Sequence, residues 1–218
     1  MPRLVVISAG LSTPSSTRNL SDQLAGATAT AITARGEQVE TTTIELRDLA
    51  VDMAQAMVSA GGVVTPALAA AQEAVTSADG LILVTPVFTA GYSGLFKMFF
   101  DLLDTQAIDG TPTLIGATAG TARHSLVLDH AIRPLLGYLR AAVVPTGVFA
   151  ATEDFGGSHA QELTDRVKRA AAELATLMLA SENTVAGLAQ GVPTRAHATA
   201  TDVQATPSFE DLLRGHEG

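Results

Sequence analysis

The clearest fold signal in the sequence lies in residues 4–24, which read LVVISAGLSTPSSTRNLSDQL. Residues 4–8 form a short apolar run that is typical of a buried strand. A loop rich in hydroxyl side chains follows, and Leu20 and Leu24 then recur at helical spacing. The stretch therefore predicts a first strand at residues 4–8 and a helix at about residues 17–34, which is the first half of a βαβ unit.

Short strands and longer helices alternate along the rest of the chain. Further strands are predicted at about residues 38–46, 80–86, 113–117 and 142–149, and further helices at about residues 66–77, 94–103, 123–139 and 158–179. Such alternation is typical of a parallel sheet that helices cover on both faces. We therefore expect an α/β fold with a flavodoxin-like, doubly wound, five-stranded parallel sheet in the order 2-1-3-4-5.

Capping residues, a proline and apolar composition add detail to the predicted helices. Thr65 followed by Pro66 has the form of an N-cap with proline at the first helical position, and Ser158 with Gln161 has the form of a capping box. Pro134 removes a backbone donor, so we expect a kink in the helix at residues 123–139. The helix at residues 94–103 is apolar on nearly every side, which predicts that it is buried, in part against a second subunit.

Composition narrows both the architecture and the class of function. The chain has 218 residues, of which 47% are hydrophobic, so it can bury a core. We expect one domain at residues 1–180 and a C-terminal tail at residues 181–218 that is flexible or lies on a neighbouring subunit. The formal net charge is −9 and basic residues do not cluster, so nucleic acid is not an expected partner.

Two absences exclude further classes. The chain has no cysteine, which excludes disulfides, a thiolate nucleophile and cysteine-ligated metal sites. The amino-terminal apolar run is too short for a signal peptide, and the longest uncharged stretch, residues 53–72, is too polar to cross a membrane. We therefore expect a cytoplasmic protein without a membrane segment.

The expected sheet order predicts the position of a ligand site. In an open parallel sheet, ligands bind at the carboxyl ends of the strands, where the strand order reverses. Here that point lies between strands one and three, which directs attention to the loops at residues 8–18 and 85–94. The first loop carries six hydroxyl side chains in residues 8–17 and runs into a helix N-terminus. Such a loop favours a phosphomonoester such as that of FMN, although serine and threonine are also ordinary loop and N-cap residues.

The second loop reads TPVFTAGYSG, and five of the nine aromatic residues of the chain fall between residues 88 and 100. Small residues allow backbone donors to approach a flat ligand, while apolar side chains can support its face, so this loop suits an isoalloxazine ring. Phe88 and Tyr92 could equally belong to the core or to a dimer interface. A third loop, ATAGT at residues 117–121, adds small residues at the end of strand four.

Three stretches of the sequence resemble one known family. They are PSSTRNL at residues 14–20, TPVFTAGYSGLFKMFFDLL at residues 85–103 and ATAGTARHSLVLDHAIRPLLGYLRA at residues 117–141. They are similar to the NAD(P)H-dependent FMN reductases of flavodoxin-like fold, especially the reductase components of two-component flavin monooxygenase systems. The resemblance extends over most of residues 1–179.

The resemblance implies an oxidoreductase that transfers a hydride from NADPH or NADH to FMN and supplies reduced FMN to a partner monooxygenase. It also implies a homodimer or homotetramer through the helix that contains Lys97. No side-chain acid or base is needed, and no catalytic or metal-ligating residue is assigned. The residues expected to bind the flavin are Ser12, Ser15, Ser16, Thr17, Arg18, Asn19, Thr85, Pro86, Val87, Phe88, Tyr92, Thr118, Ala119, Gly120 and Thr121.

The sequence departs from the family pattern at two positions and leaves two other functions open. Phe88 stands where many relatives have tyrosine, and His130 stands where some have an aromatic residue in a locally widened helix, so a π-bulge is expected there. One alternative is a quinone or azo reductase that holds FMN tightly. The other is a flavodoxin-type electron carrier, which the acidic charge suits, although such carriers usually clamp the flavin between aromatic residues and this chain has no tryptophan.

Overall fold

A parallel β-sheet forms the centre of the computed structural model, which describes residues 1–156 and 159–182. The strands of the described residues are β1 (Arg3–Ser8), β2 (Glu40–Glu45), β3 (Gly80–Phe88), β4 (Gly91–Tyr92), β5 (Pro112–Ala119), β6 (Ala142–Val143) and β7 (Val148–Ala151). The helices are α1 (Ser16–Thr33), α2 (Ala50–Val58), α3 (Pro66–Thr76), α4 (Gly94–Asp101), α5 (Arg133–Tyr138) and α6 (Ala160–Glu182).

The strand order is β2-β1-β3-β5, and both β6 and β7 pair in parallel with β5. This order confirms the predicted 2-1-3-4-5 sheet, because β5 is the predicted fourth strand and β6 and β7 together occupy the fifth position. The single strand predicted at residues 142–149 is wrong in detail. Pro145 lies between the two pieces and has no N–H for a ladder, and the carbonyls of Val144 and Pro145 accept hydrogen bonds from Arg133.

Helices cover both faces of the sheet. Leu4 and Val6 of β1 pack with residues of α1 and α6, while Val5 and Ile7 point the other way and pack with residues of α2, α3, α4 and α5. This alternation follows from the two-residue period of a strand. Because both faces are buried, the central strands are continuous apolar runs, which is why the sequence signals them clearly.

Several helix boundaries differ from the predictions. Helix α2, together with a 3₁₀ turn at Leu46–Leu49, was not predicted. The single helix predicted at residues 123–139 is instead a 3₁₀ turn at Ala122–His124, a π-helical turn at Leu128–Ile132 and then α5. The π turn contains His130, which confirms the expected local widening.

Other helix predictions are confirmed or lie outside the described residues. Thr65 caps α3, its side chain accepting from the Leu68 N–H at 3.2 Å, with Pro66 at the first position. Ser158 of the expected capping box, and the expected tail from residue 183 onward, lie outside the described residues. Within the described ranges, no helix is long and apolar enough to cross a membrane.

Helix α4 ends at Asp101 rather than residue 103, and within this chain it buries one side. Phe96, Phe99 and Phe100 are buried in the core, and Phe96 and Phe100 lie 4.8 Å apart between ring centroids. The outer side of α4 carries Lys97, which pairs with Asp101 at 2.5 Å. The aromatic cluster therefore anchors α4 within this chain.

Candidate active site at the carboxyl ends of the strands

The three loops singled out in the sequence follow strands that lie side by side. Ser8 at the end of β1 is in register with Val84 of β3, and Pro86 of β3 is in register with Thr118 of β5. The N–H of Ala9 continues the ladder by donating to the Val84 carbonyl at 2.9 Å. The structure therefore brings the three loops to one edge of the sheet, with β3 in the middle.

The first loop ends in a capped helix. Ser15 is the N-cap of α1, and its Oγ accepts a hydrogen bond from the Arg18 N–H at 3.2 Å. Ser16, Thr17, Arg18 and Asn19 therefore belong to the first turn of α1 rather than to the loop. The first N–H groups of a helix have no intrahelical acceptor and carry partial positive charge, so this end of α1 favours an anion.

Two further features shape the first loop. The Ser8 hydroxyl is buried at the end of β1 and has no hydrogen-bond partner among the described residues. A Cβ atom added at Gly10 would overlap Ser15 Oγ and lie 3.1 Å from Thr17 Cβ. Gly10 thus allows the loop to fold back closely against the start of α1.

Charged side chains join the first loop to the end of β2. Arg18 donates from Nε to Asp22 at 2.8 Å and from Nη1 to Glu45 at 2.6 Å. Hydrogen bonding to Asp22, together with the charges of Asp22 and Glu45, raises the pKa of the Arg18 guanidinium above its ordinary value. Arg47 binds the second oxygen of Glu45 at 2.9 Å and donates to the Ser12 carbonyl at 3.1 Å.

The second loop is a tight β-hairpin. Strands β3 and β4 pair antiparallel through Val87 with Tyr92 and through Phe88 with Gly91. The two linking residues, Thr89 and Ala90, have φ values of 49° and 65°. Left-handed backbone at both positions is the geometry of a type I′ turn, which normally favours asparagine and glycine.

The two aromatic side chains of the hairpin have different surroundings. Phe88 is 45% exposed, whereas the Tyr92 ring packs against Phe96 with centroids 5.7 Å apart. The base of the hairpin is fixed by Thr85, whose Oγ1 accepts from the Ser93 N–H at 2.9 Å. Phe88 is therefore the hairpin aromatic that is available to a ligand at this edge.

A buried hydrogen bond ties the third loop to the first. The hydroxyls of Thr17 and Thr118 lie 2.8 Å apart, and both side chains are buried. Beyond Thr118 the chain becomes exposed at Gly120 and Thr121, and the Thr121 hydroxyl accepts from the Arg123 N–H at 3.4 Å. The first turn of α1 and the end of β5 therefore form one connected wall.

The candidate residues from the sequence divide by exposure. Exposed ones are available to contact a ligand directly: Ser12, Ser16, Asn19, Phe88, Gly120 and Thr121. Partly buried ones line the edge: Ser15, Arg18, Val87, Tyr92 and Ala119. Buried ones lie beneath it: Thr17, Thr85, Pro86 and Thr118. The three buried threonine hydroxyls bond to protein groups, so these side chains hold the loops in place.

Sequence reasoning missed two side chains at this edge, Glu45 and Arg47. Glu45 and Arg47 lie at and just beyond the end of β2, which neighbours β1 in the sheet. Their contacts with the first loop join residues 27 to 35 positions apart in the sequence. The signal that could have found them is the predicted parallel order, which places the end of strand two beside the end of strand one.

Comparison with known proteins identifies the family. Residues 2–156 match the family described as NADPH-dependent FMN reductase. An FMN reductase (NADPH) from Pseudomonas aeruginosa is 35% identical over 179 residues, covering 80% of this chain and 91% of that protein. The NADH-dependent FMN reductase SfnF from Pseudomonas fluorescens is 42% identical over 107 residues, covering 48% of this chain and 57% of that protein.

Solved structures agree with this relationship. An oxidoreductase from Corynebacterium diphtheriae superposes with a TM-score of 0.80 at 57% identity, covering 83% of this chain and 98% of that chain. A WrbA-like flavodoxin from Agrobacterium tumefaciens has a TM-score of 0.56 at 17% identity, covering 83% of this chain and 99% of that chain, and shares the fold.

The flavodoxin-like fold and the family match together identify an oxidoreductase. The chain belongs to the NADPH-dependent FMN reductase family. It is an NAD(P)H-dependent FMN reductase, with FMN as its flavin and NADPH or NADH as the electron donor.

Proposed function

We propose that this reductase binds FMN at the edge described above, reduces it and releases reduced FMN to a separate flavin-dependent monooxygenase. The loop and first helical turn at residues 12–19 hold the phosphate. The hairpin at residues 85–92 and the loop at residues 118–121 support the ring.

The phosphate assignment rests on the start of α1. Ser12 is exposed in the loop before α1, and Ser16 is exposed at the first residue of α1. A phosphate offers acceptor oxygens to these hydroxyls and to the N-terminal N–H groups, and the helix dipole favours its charge. The residues present therefore fit a phosphomonoester.

The ring assignment rests on the hairpin and the end of β5. Phe88 offers an exposed apolar face, while Gly120 has no protein atom within 4 Å of the position that a Cβ would occupy. Backbone groups can therefore approach a flat ligand there. When bound, FMN supplies the chemistry, which is acceptance of a hydride from NADPH or NADH. The protein residues orient the ring and leave one of its faces open to the nicotinamide.

The observation that carries release of the flavin is the unequal placement of the two hairpin aromatics. Phe88 is exposed, whereas Tyr92 is partly buried and packs against Phe96, and the chain has no tryptophan. A clamp between two aromatic side chains is the usual means by which a carrier retains its flavin. A site with one exposed phenyl group favours micromolar, reversible binding instead.

Release is tested by comparing flavin retention with turnover. The purified protein is dialysed and then mixed with NADPH or NADH across a range of FMN concentrations. We expect the flavin to be lost on dialysis, and NAD(P)H oxidation to saturate with added FMN in the micromolar range. Protein that stays yellow, retains one FMN per chain and reduces quinones faster than free FMN contradicts release and indicates a quinone or azo reductase.

A monooxygenase partner is tested separately. Reduced FMN made by this enzyme should support a flavin-dependent monooxygenase that is added in trans and has no reductase of its own. We also propose a homodimer or homotetramer, because Leu95 and Met98 of α4, and Leu102 at its C-cap, remain partly exposed. A monomer in sedimentation equilibrium at micromolar protein contradicts the oligomer alone.

A further inference from the structure

Glu45 lies between two arginines at the loop to which we assign the FMN phosphate. Its Oε1 accepts from Arg18 Nη1 at 2.6 Å, and its Oε2 pairs with Arg47 Nη2 at 2.9 Å. The side chain is only 18% exposed. Both carboxylate oxygens therefore occupy guanidinium donors, one from Arg18 in the first turn of α1 and one from Arg47, which also donates to the Ser12 carbonyl of this loop.

The remaining charges around Glu45 do not leave an excess of positive charge. Arg18 also pairs with Asp22 at 2.8 Å, and Arg47 Nε lies 3.6 Å from Asp48. Two guanidinium groups thus meet three carboxylates. A strong phosphate site has the opposite balance, because arginine binds phosphate through charge-assisted, often paired, hydrogen bonds.

We propose that Glu45 is a positioning residue that limits the affinity for FMN by holding Arg18 and Arg47 away from the phosphate. This inference rests on the proposed function and extends it, because it names the group that keeps the flavin exchangeable. Glu45 competes with a phosphate oxygen for the same N–H donors. The first loop still keeps its shape, since Arg47 also binds the Ser12 carbonyl and the Thr13 hydroxyl.

The proposal predicts that removing the Glu45 charge tightens binding. Glu45→Gln keeps the length of the side chain and one acceptor oxygen, so it frees one guanidinium donor and removes one negative charge. In a partly exposed site, this change should lower the Kd for FMN by about three- to tenfold at low salt, and by less at high salt. Riboflavin has the same ring without the phosphate, so its Kd should stay within about twofold of the wild-type value, because the change in charge acts chiefly on the phosphate.

Two variants separate this effect from charge in general and from folding. Asp48→Asn removes the same charge from a side chain that is 72% exposed and pairs more distantly, so it should change the FMN Kd by less than about twofold. Glu45→Asp keeps the charge and should stay near the wild-type Kd for FMN. Flavin affinity is measured by fluorescence quenching, and thermal unfolding confirms that each variant is folded.

The same titrations test the phosphate site and the role of Glu45 separately. If wild-type protein binds FMN more tightly than riboflavin and Glu45→Gln binds FMN equally or more weakly, the role of Glu45 is refuted while the phosphate site stands. If Glu45→Gln tightens FMN and riboflavin by the same factor, the role of Glu45 is also refuted, because the effect is then on the ring. If wild-type protein shows no preference for FMN over riboflavin, both the phosphate site and the role of Glu45 are refuted.

Discussion

Gly10 is the position at which one added methyl group should damage both the fold and the flavin site. A Cβ at Gly10 would overlap Ser15 Oγ, which caps α1 by accepting from the Arg18 N–H at 3.2 Å. Thr17 Cβ, at 3.1 Å, limits movement in the other direction. Gly10→Ala must therefore displace the Ser15 cap, at a cost of about 1 kcal/mol, and must also shift the loop. Together these changes should lower the free energy of unfolding by about 1–3 kcal/mol.

Urea unfolding of the FMN-free protein measures this loss, and fluorescence titration measures flavin binding. We expect a lower urea midpoint and FMN affinity reduced at least about tenfold, which corresponds to about 1.4 kcal/mol. Gly26→Ala is the matched control, because Gly26 lies in the interior of α1 and no atom lies within 4 Å of its added Cβ. It should stabilise the protein by about 0.5–1 kcal/mol without changing FMN affinity. Wild-type stability and FMN affinity in Gly10→Ala would refute the packing argument.

Three further predictions address the walls of the site. Thr17→Val and Thr118→Val should each lower the free energy of unfolding in urea by about 1–3 kcal/mol, because each leaves the other hydroxyl buried and unpaired. The double variant should lose less than the sum of the two single losses. A double variant whose loss equals that sum argues against the Thr17–Thr118 hydrogen bond. Phe88→Ala should weaken the binding of FMN and of riboflavin equally, by about three- to tenfold. Tyr138→Ala, at the 75% exposed last residue of α5, should leave both affinities unchanged. A loss confined to FMN contradicts the ring assignment. Ala90→Gly should raise the free energy of unfolding by about 0.5–1 kcal/mol, because Ala90 has a φ of 65°, a left-handed conformation that glycine adopts without strain. A lower free energy of unfolding in this variant refutes the idea that Ala90 is strained.

The sheet was predictable because its signals are local. The runs that became β1 and β3 are short and apolar, and Ser15 and Thr65 cap helices within a few residues of the predicted starts. The site edge followed from topology alone, since the ends of adjacent parallel strands must meet. The order of strands therefore placed three loops together without any knowledge of their contacts.

The features that were missed depend on context. Helix α2 has only nine residues, follows directly on a 3₁₀ turn after β2, and has no side-chain N-cap to mark its start. The hairpin of β3 and β4 has Thr89 and Ala90 in place of the asparagine and glycine that usually mark such a turn. The pairing of Arg18 with Glu45 spans 27 residues, so neither sequence spacing nor helix period indicates it.

Crystals grown with FMN would locate both ends of the flavin. We predict that the phosphate lies against the first turn of α1, within hydrogen-bond distance of Ser12 or Ser16, and that the ring contacts Phe88 and the loop at residues 118–121. A flavin bound at another edge of the sheet, or one whose phosphate lies at the end of β5 and whose ring lies at α1, would contradict it.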